Sequence, residues 1–254
     1  MTTGLQRFAG FAVVVLVAAC SAAGTPSSAH VPAATATPLV SAPQPSASTS
    51  STAVSPSPQA SGTRHVVGKV LGGGSLPGYT VEVPNGWSTS DPQFVTKSGA
   101  DVVIGFGVWD VAQVPTDPCH WKGHLVDPGP TVDDLVRALV AQPTRHATKP
   151  TDVTLAGQAG KYLQWSVPAD MVVTGDANFK GCDIQDNGHL DFVSWTSTGG
   201  GSRYQQVAGQ VDQLWVLDVS GQRLVVDATH SLNATAAERA ELANIVASIH
   251  FELP

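Results

Sequence analysis

The sequence has few basic residues. Its 254 residues include 13 Lys and Arg against 20 Asp and Glu, which gives a formal net charge of −7. Proteins that bind DNA or RNA contact the phosphates with clustered basic side chains. We therefore expect no nucleic acid among the partners of this protein.

The sequence also lacks the motifs of common catalytic sites. It contains no Gly-x-Ser-x-Gly nucleophile turn, no Walker loop and no His-Glu-x-x-His motif. Ser, His and Asp all occur, but no spacing in the sequence brings them together as a triad. We therefore assign no catalytic residue and no cofactor, and the absences favour a protein that is not an enzyme.

Long hydrophobic runs are missing too, apart from one near the start of the chain. It goes from Phe8 to Ala19 and follows Arg7. A membrane-spanning helix needs roughly 20 apolar residues, so this run is too short to cross a bilayer. A short apolar run behind a basic residue is typical of a removable signal peptide.

The run ends in Val17-Ala18-Ala19-Cys20, which resembles the lipobox of bacterial lipoproteins. The resemblance implies that residues 1–19 are a signal peptide and that Cys20 becomes the lipid-modified N-terminus. The lipid would then hold the protein on the outer face of the cell membrane. Ordinary secretion is the alternative, because small residues also suit a plain signal-peptidase site.

Residues 20–75 consist mostly of Ser, Thr, Ala, Pro and Gly. A segment of this composition cannot bury enough apolar surface to offset the entropy that it loses on ordering. Its prolines favour extended conformations. We predict a disordered tether over residues 20–75 and a single extracytoplasmic domain over residues 76–254.

Cysteine is scarce, with three residues in the chain. If Cys20 carries lipid, Cys119 and Cys182 remain as a pair, and a pair outside the cytoplasm is usually a disulfide. A zinc site that adds His120 and His124 is the alternative. It is disfavoured because Cys119 and His120 are adjacent and the chain has no Cys-x-x-Cys pair.

One polar stretch after Cys182 partly matches a calcium-binding loop. The matching residues are Asp183, Gln185, Asn187, Gly188 and Asp191. The last ligand position holds Ser194 instead of the bidentate Glu, and no helical pattern flanks the stretch. We therefore predict a polar turn and no metal site, with Asp183 and Asp191 as weak candidate ligands.

The patterns of the domain predict strands and two amphipathic helices. Residues Tyr79–Val83 alternate as in a strand, and Ser220-Gly221 joins two strands of a predicted hairpin. Apolar residues at helical spacing follow the predicted capping residues Thr131 and Thr235. Together these elements predict an α+β fold in which an antiparallel sheet is covered by two amphipathic helices.

Two stretches of the domain resemble PsbP-like domains of actinobacterial lipoproteins. They are the strand and turn from Tyr79 to Trp87 and the segment from Ile245 to Phe251. The resemblance implies a PsbP-like fold and an envelope location. It provides no catalytic residues that could be carried over to this chain.

Two long aperiodic stretches, residues 110–130 and 171–201, interrupt the predicted elements. Loops on a rigid scaffold commonly carry binding sites, and we expect a ligand groove lined by Trp109, Trp121 and Trp195. The resulting hypothesis is a non-catalytic, lipid-anchored envelope protein that binds a ligand or a protein partner. The alternatives are an envelope hydrolase with an unrecognised site and a structural or sensing module of the cell wall.

The lipid hypothesis makes a direct prediction for Cys20. The substitution Cys20→Ala should release the protein from membranes, because stable anchoring needs the acyl chains. Membrane fractionation, with the intact mass of the membrane-extracted wild-type protein, measures this. An unmodified mature N-terminus that begins at another residue would contradict the hypothesis.

Overall fold

The computed structural model describes residues 62–73, 75–89, 91, 93–99 and 102–253. The predicted signal peptide, Cys20 and most of the predicted tether lie outside these residues. In the described part of the chain, no helix is long and apolar enough to cross a membrane.

The described residues form mainly strands, with two helices. The strands are β1 Thr63–Gly68, β2 Gly78–Pro84, β3 Phe94–Gly99, β4 Val102–Trp109, β5 Val111–Pro115, β6 Leu125–Val126, β7 Thr151–Leu155, β8 Gln158–Ser166, β9 Val173–Thr174, β10 Asn178–Phe179, β11 Val193–Ser197, β12 Ser202–Tyr204, β13 Val211–Val219, β14 Gln222–His230 and β15 His250–Glu252. The helices are α1 Val132–Val140 and α2 Ala236–Ala247.

Six strands form the central sheet in the order β3-β4-β14-β13-β8-β7, and every neighbouring pair is antiparallel. Its middle hairpin, β13–β14, turns at Ser220 and Gly221, which both have positive φ. Two residues with positive φ twist a hairpin turn in the sense that the flanking strands need. The hairpin predicted from Ser220-Gly221 is therefore confirmed.

Three smaller antiparallel sheets surround the central sheet. Their strand orders are β1-β2-β15, β12-β11-β5-β6 and β9-β10. We call the second of these the four-stranded sheet. Strand β1 lies within the segment predicted as a tether, where it pairs with β2 from Thr63 to Gly68. The folded part of the chain therefore begins earlier than the predicted boundary at residue 76.

The central sheet has two buried faces. On its back face, apolar residues of β4 and β14 pack against β2 and against α2 through Leu242, Ile245 and Val246. On its front face, α1 packs through Leu135 and Leu139 beside residues of the four-stranded sheet. Each face is thus covered by further strands as well as by one short helix.

The predicted fold, an α+β sheet covered by two amphipathic helices, is wrong. The structure is mostly β, with 45% strand and 11% helix arranged as four antiparallel sheets. The error arose in the two stretches read as aperiodic loops, which contain most of the four-stranded sheet. Strand β11 is buried along nearly its whole length, and a strand buried on both sides shows no alternation in sequence.

Both helices begin at the predicted residues. The side chains of Thr131 and Thr235 each accept a hydrogen bond from the backbone N–H three residues later, and the side chains of Asp134 and Glu238 accept one from the backbone N–H of Thr131 and Thr235. Each capping box satisfies two backbone N–H groups that the first helical turn leaves without partners. The sequence therefore predicted where the two helices begin, although it did not predict correctly what covers the sheet.

Cys119 and Cys182 form the predicted disulfide. It joins the loop between β5 and β6 to the residues that follow β10, and it packs against buried Phe179 and Phe192. The bridge closes a loop of 63 residues. In the chain-entropy description, a loop of this length corresponds to about 4 kcal/mol of stabilisation.

We expect the double substitution Cys119→Ser and Cys182→Ser to leave the protein folded with a lower melting temperature. The two large cores on the central sheet do not involve either cysteine. The lost stabilisation corresponds to a decrease of roughly 10 °C for a domain of this size. Thermal unfolding followed by circular dichroism measures it. An unchanged melting temperature, or two reactive thiols in denatured wild-type protein, would contradict the bridge.

Candidate functional site

The front face of the central sheet contains a row of positions without side chains. On β4, Gly105 and Gly107 lie opposite Thr229 and Asp227 of β14. On the other side of β4 they lie opposite Thr96 and Phe94 of β3. A Cβ at Gly107 would lie 3.2 Å from the Phe94 ring. The two glycines therefore make room on this side of β4 for the side chains of Phe94 and Thr96.

Residues of β3, β4 and β14 line a partly open pocket of about 580 Å³, which we call the pocket. Its walls are mainly apolar and include Leu71, Phe94, Val103 and Trp109. The turn and strand from Gly200 to Tyr204, at β12, form the opposite side. Mainly apolar clefts of this size, with a few convergent polar groups, are typical of small-molecule sites.

Buried charged groups lie at the floor of the pocket. Arg203 and Asp227 both line it and are both buried. Arg203 Nε donates to Asp227 Oδ2 at 2.6 Å, and Nη2 donates to Asp212 Oδ1 at 3.2 Å. Its third nitrogen donates to the Tyr204 carbonyl. Arg203 thus connects β12 to two neighbouring strands of the central sheet.

Asp212 is saturated with hydrogen-bond donors. Besides Arg203, its oxygens accept from Gln210, Thr229, Trp165 and Gln205. Burial opposes the ionisation of Asp212, but Arg203, Arg145 and these hydrogen bonds outweigh it and lower the pKa of Asp212. Asp212 is therefore held as a carboxylate.

Asp227 has a different environment, although it lies only one strand away. Burial raises the pKa of Asp227 to about 6, with a further contribution from the negative charge of Asp212, while Arg203 opposes the rise. Oδ2 accepts from Arg203, whereas Oδ1 is buried and has no hydrogen-bond partner among the described residues. Asp227 thus has one acceptor atom that is buried, inaccessible to solvent and unpaired among the described residues.

A second arginine supports the same region. Arg145, in the chain after α1, is fully buried and lies over the rings of Trp165 and Phe192 at 4.3 and 4.6 Å. Its Nη2 donates to Ser194 Oγ on β11. Burial lowers the pKa of Arg145 to about 9, and Asp212 opposes that decrease. Arg145 therefore joins α1, the four-stranded sheet and β8 without lining the pocket.

The structure separates the three tryptophans that we expected in one groove. Trp109 lines the pocket and contacts Trp195 edge to face at 5.8 Å. Trp195 is fully buried behind it and stacks on Trp165. Trp121 lies in the disulfide-bonded loop, where its Nε1 donates to the Asp191 carbonyl. Of the three, only Trp109 is among the pocket-lining residues.

The weak metal candidates lie around the disulfide. The carboxylate of Asp183 accepts from the Lys122 backbone and lies 3.7 Å from His120 Nδ1. His124 is exposed, and Asp191 is buried. Within the described ranges, no group of three or more His, Cys, Asp or Glu side chains is placed to hold a metal ion.

Sequence reasoning missed the residues at the pocket floor. Two signals were present. Asp227 interrupts the apolar run of β14 at a position facing the front side, and Gly105 and Gly107 occupy alternate positions of β4 on that same side. An acid in a buried strand next to two glycines on one face indicates a polar group beside a gap. The partner Arg203 could not be found this way, because the pairing of β12 with β11 beside the central sheet is not visible in the sequence.

The raised pKa of Asp227 makes a prediction about pH. An unfolded Asp titrates near its ordinary value of 3.8, and folded Asp227 titrates at about 6. Between these values the folded state binds the additional proton, so stability falls as pH rises from about 4 to about 6. Relative to Asp227→Asn, the wild type should therefore gain stability as pH is lowered from 7 to about 4. Urea unfolding of both proteins across this range measures the difference, and parallel pH profiles would contradict the assignment.

Comparisons with known proteins leave the function open. No protein-family model matches the sequence, and no curated protein matches it either. The chain is similar to the solution structure of cyanobacterial PsbP (CyanoP) from Synechocystis sp. PCC 6803, with 14% identity and a TM-score of 0.29 over 68% of this chain and 86% of that chain. A PsbP structure is thus a neighbour of this fold, but a likeness this weak carries no argument about the site.

Proposed function

We propose that this protein is a lipid-anchored cell-envelope protein whose domain binds a small, mainly apolar ligand in the pocket without catalysing a reaction. The pocket itself is the observation on which the proposal depends. It has apolar walls, a volume of about 580 Å³ and a floor with few polar groups. These are the features that favour burial of a small molecule over recognition of a charged polymer.

The chemistry of the lining favours binding over catalysis. Among the described residues that line the pocket, there is no histidine and no cysteine. The buried charged groups Arg203 and Asp227 are bonded to each other. A hydrolase would need a nucleophile within hydrogen-bond reach of a base that is free to take its proton. The alternative of an envelope hydrolase therefore gains no support from the pocket.

The anchor and the location are supported by the sequence alone. The lipobox-like Val17-Ala18-Ala19-Cys20 and the Ser/Thr/Ala/Pro-rich segment precede the folded part. The disulfide is consistent with an oxidising compartment outside the cytoplasm. A domain held by a tether on the outer face of the cell membrane would be placed to bind apolar molecules of the envelope before they enter the bilayer.

Filling the pocket with an added side chain should abolish binding. In Gly107→Val, the added side chain meets the Phe94 ring and occupies space above the pocket floor. We expect wild-type protein to bind the neutral apolar dye N-phenyl-1-naphthylamine with increased fluorescence, and Gly107→Val to bind it at least roughly tenfold more weakly. The strain of the added group should cost about 1–3 kcal/mol of stability, which the domain tolerates.

The matched control is Thr154→Val, which introduces the same side chain at an exposed position of β7 away from the pocket. It should bind the dye as the wild type does. Circular dichroism and thermal unfolding verify that both variants are folded. Equal dye affinity in a folded Gly107→Val variant would show that the pocket is not the binding site.

A further inference from the structure

Asn-Gly pairs occur twice in the sequence, as Asn85-Gly86 and Asn187-Gly188. In such a pair the backbone nitrogen of glycine can attack the side-chain amide of asparagine, because no Cβ hinders its approach. Both pairs lie in turns and are exposed to solvent. Exposure therefore does not distinguish the two sites, whereas their hydrogen bonds do.

The reacting groups of Asn187-Gly188 are both held by hydrogen bonds. Gly188 N donates to the Gln185 carbonyl at 3.0 Å. Asn187 Oδ1 accepts from the His189 backbone N–H, also at 3.0 Å. A further hydrogen bond of 2.6 Å, from Gln185 N to the His189 carbonyl, closes this turn. The turn must therefore open before the nitrogen of Gly188 can reach the side chain of Asn187.

The reacting groups of Asn85-Gly86 have no such bonds. Among the described residues, nothing accepts from Gly86 N, and the side-chain amide of Asn85 makes no hydrogen bond. The turn that contains them is closed by one long bond, from Trp87 N to the Pro84 carbonyl at 3.4 Å. Asn85 N donates to the Gly62 carbonyl at 3.1 Å, but this N–H takes no part in the reaction. The attacking nitrogen and the side chain are therefore both free to react.

We propose that Asn85 is a site of spontaneous deamidation, whereas the fold protects Asn187. The Gly86 nitrogen loses its proton and forms a bond to Asn85 Cγ. The bond from Cγ to Nδ2 breaks, and the nitrogen leaves as ammonia with that proton. The product is a cyclic succinimide, which a water molecule opens at either carbonyl to give aspartate or isoaspartate. Water is the co-reactant, and nothing is oxidised or reduced.

Either product changes the turn after β2. Each adds a negative charge, and isoaspartate also inserts a backbone atom between the end of β2 and Trp87. Trp87 is 3% exposed in the core on the back face, and its Nε1 donates to Glu241 at 2.9 Å. The next residue, Ser88, lines the pocket. Deamidation of Asn85 therefore modifies a turn that connects the core to the rim of the pocket.

The test compares both sites within one protein. The full chain is incubated at mildly alkaline pH, once folded and once in guanidinium chloride, and its proteolytic peptides are followed by mass spectrometry. The denatured protein gives the reference rate of each site without the fold. In the folded protein, we expect Asn187 to be slowed at least roughly tenfold more than Asn85 relative to these references, because breaking two hydrogen bonds adds to its barrier.

Asn85→Gln is the matched variant. It keeps a side-chain amide at this exposed position but places it one carbon farther from Gly86 N. The peptide that contains residue 85 should then stay unmodified, while Asn187 keeps its wild-type rate. Equal slowing of the two sites in the folded wild type, or faster deamidation at Asn187, would overturn the inference. So would a peptide that is still deamidated in Asn85→Gln, because the modified residue would then be another one. The wild-type comparison decides the inference if the variant does not fold.

Discussion

The arrangement of the front face depends on one buried guanidinium. Arg203 lies between Asp212 and Asp227, which belong to adjacent strands of the central sheet. Each buried carboxylate loses hydration worth several kcal/mol, and only a well-placed opposite charge with good hydrogen bonds offsets that loss. Strand β12 must therefore lie where Arg203 reaches both acids. Because β12 pairs with β11 and β11 with β5, this one requirement positions the four-stranded sheet on the central sheet.

The pocket is a consequence of this arrangement and of the sequence of β4. If β4 carried side chains at residues 105 and 107, they would fill the space between β3 and β14, as side chains do elsewhere in both cores. Glycine weakens a strand, since it loses more conformational entropy on folding and packs no side chain. The flanking pairs with β3 and β14 compensate along the whole length of β4. The strand is thus held by its neighbours, and its front side accommodates the side chains of Phe94 and Thr96.

The sequence predicted local features well and the assembly of sheets poorly. Capping at Thr131 and Thr235 and the turn at Ser220-Gly221 depend on a few adjacent residues, so their chemistry is visible in the sequence. The disulfide followed from counting cysteines. In the four-stranded sheet, β11 is buried on both sides and shows no alternation, and β6 and β12 are too short, at two and three residues, to show one. The pairing of Arg203 with Asp212 and Asp227 depends on that sheet and therefore could not be predicted from the sequence.

The two buried acids differ, although they share one cation. Asp212 and Asp227 share Arg203, yet their pKa values move in opposite directions. Asp212 has donors on both oxygens, as expected of a carboxylate whose role is to hold strands together. Asp227 has a donor on one oxygen, and its other oxygen is buried without a partner among the described residues. A structural role alone would be served better by a second saturated carboxylate or by an apolar residue, since buried ion pairs add little net stability. The unpaired Asp227 oxygen is therefore a cost that the structural role of the ion pair does not explain.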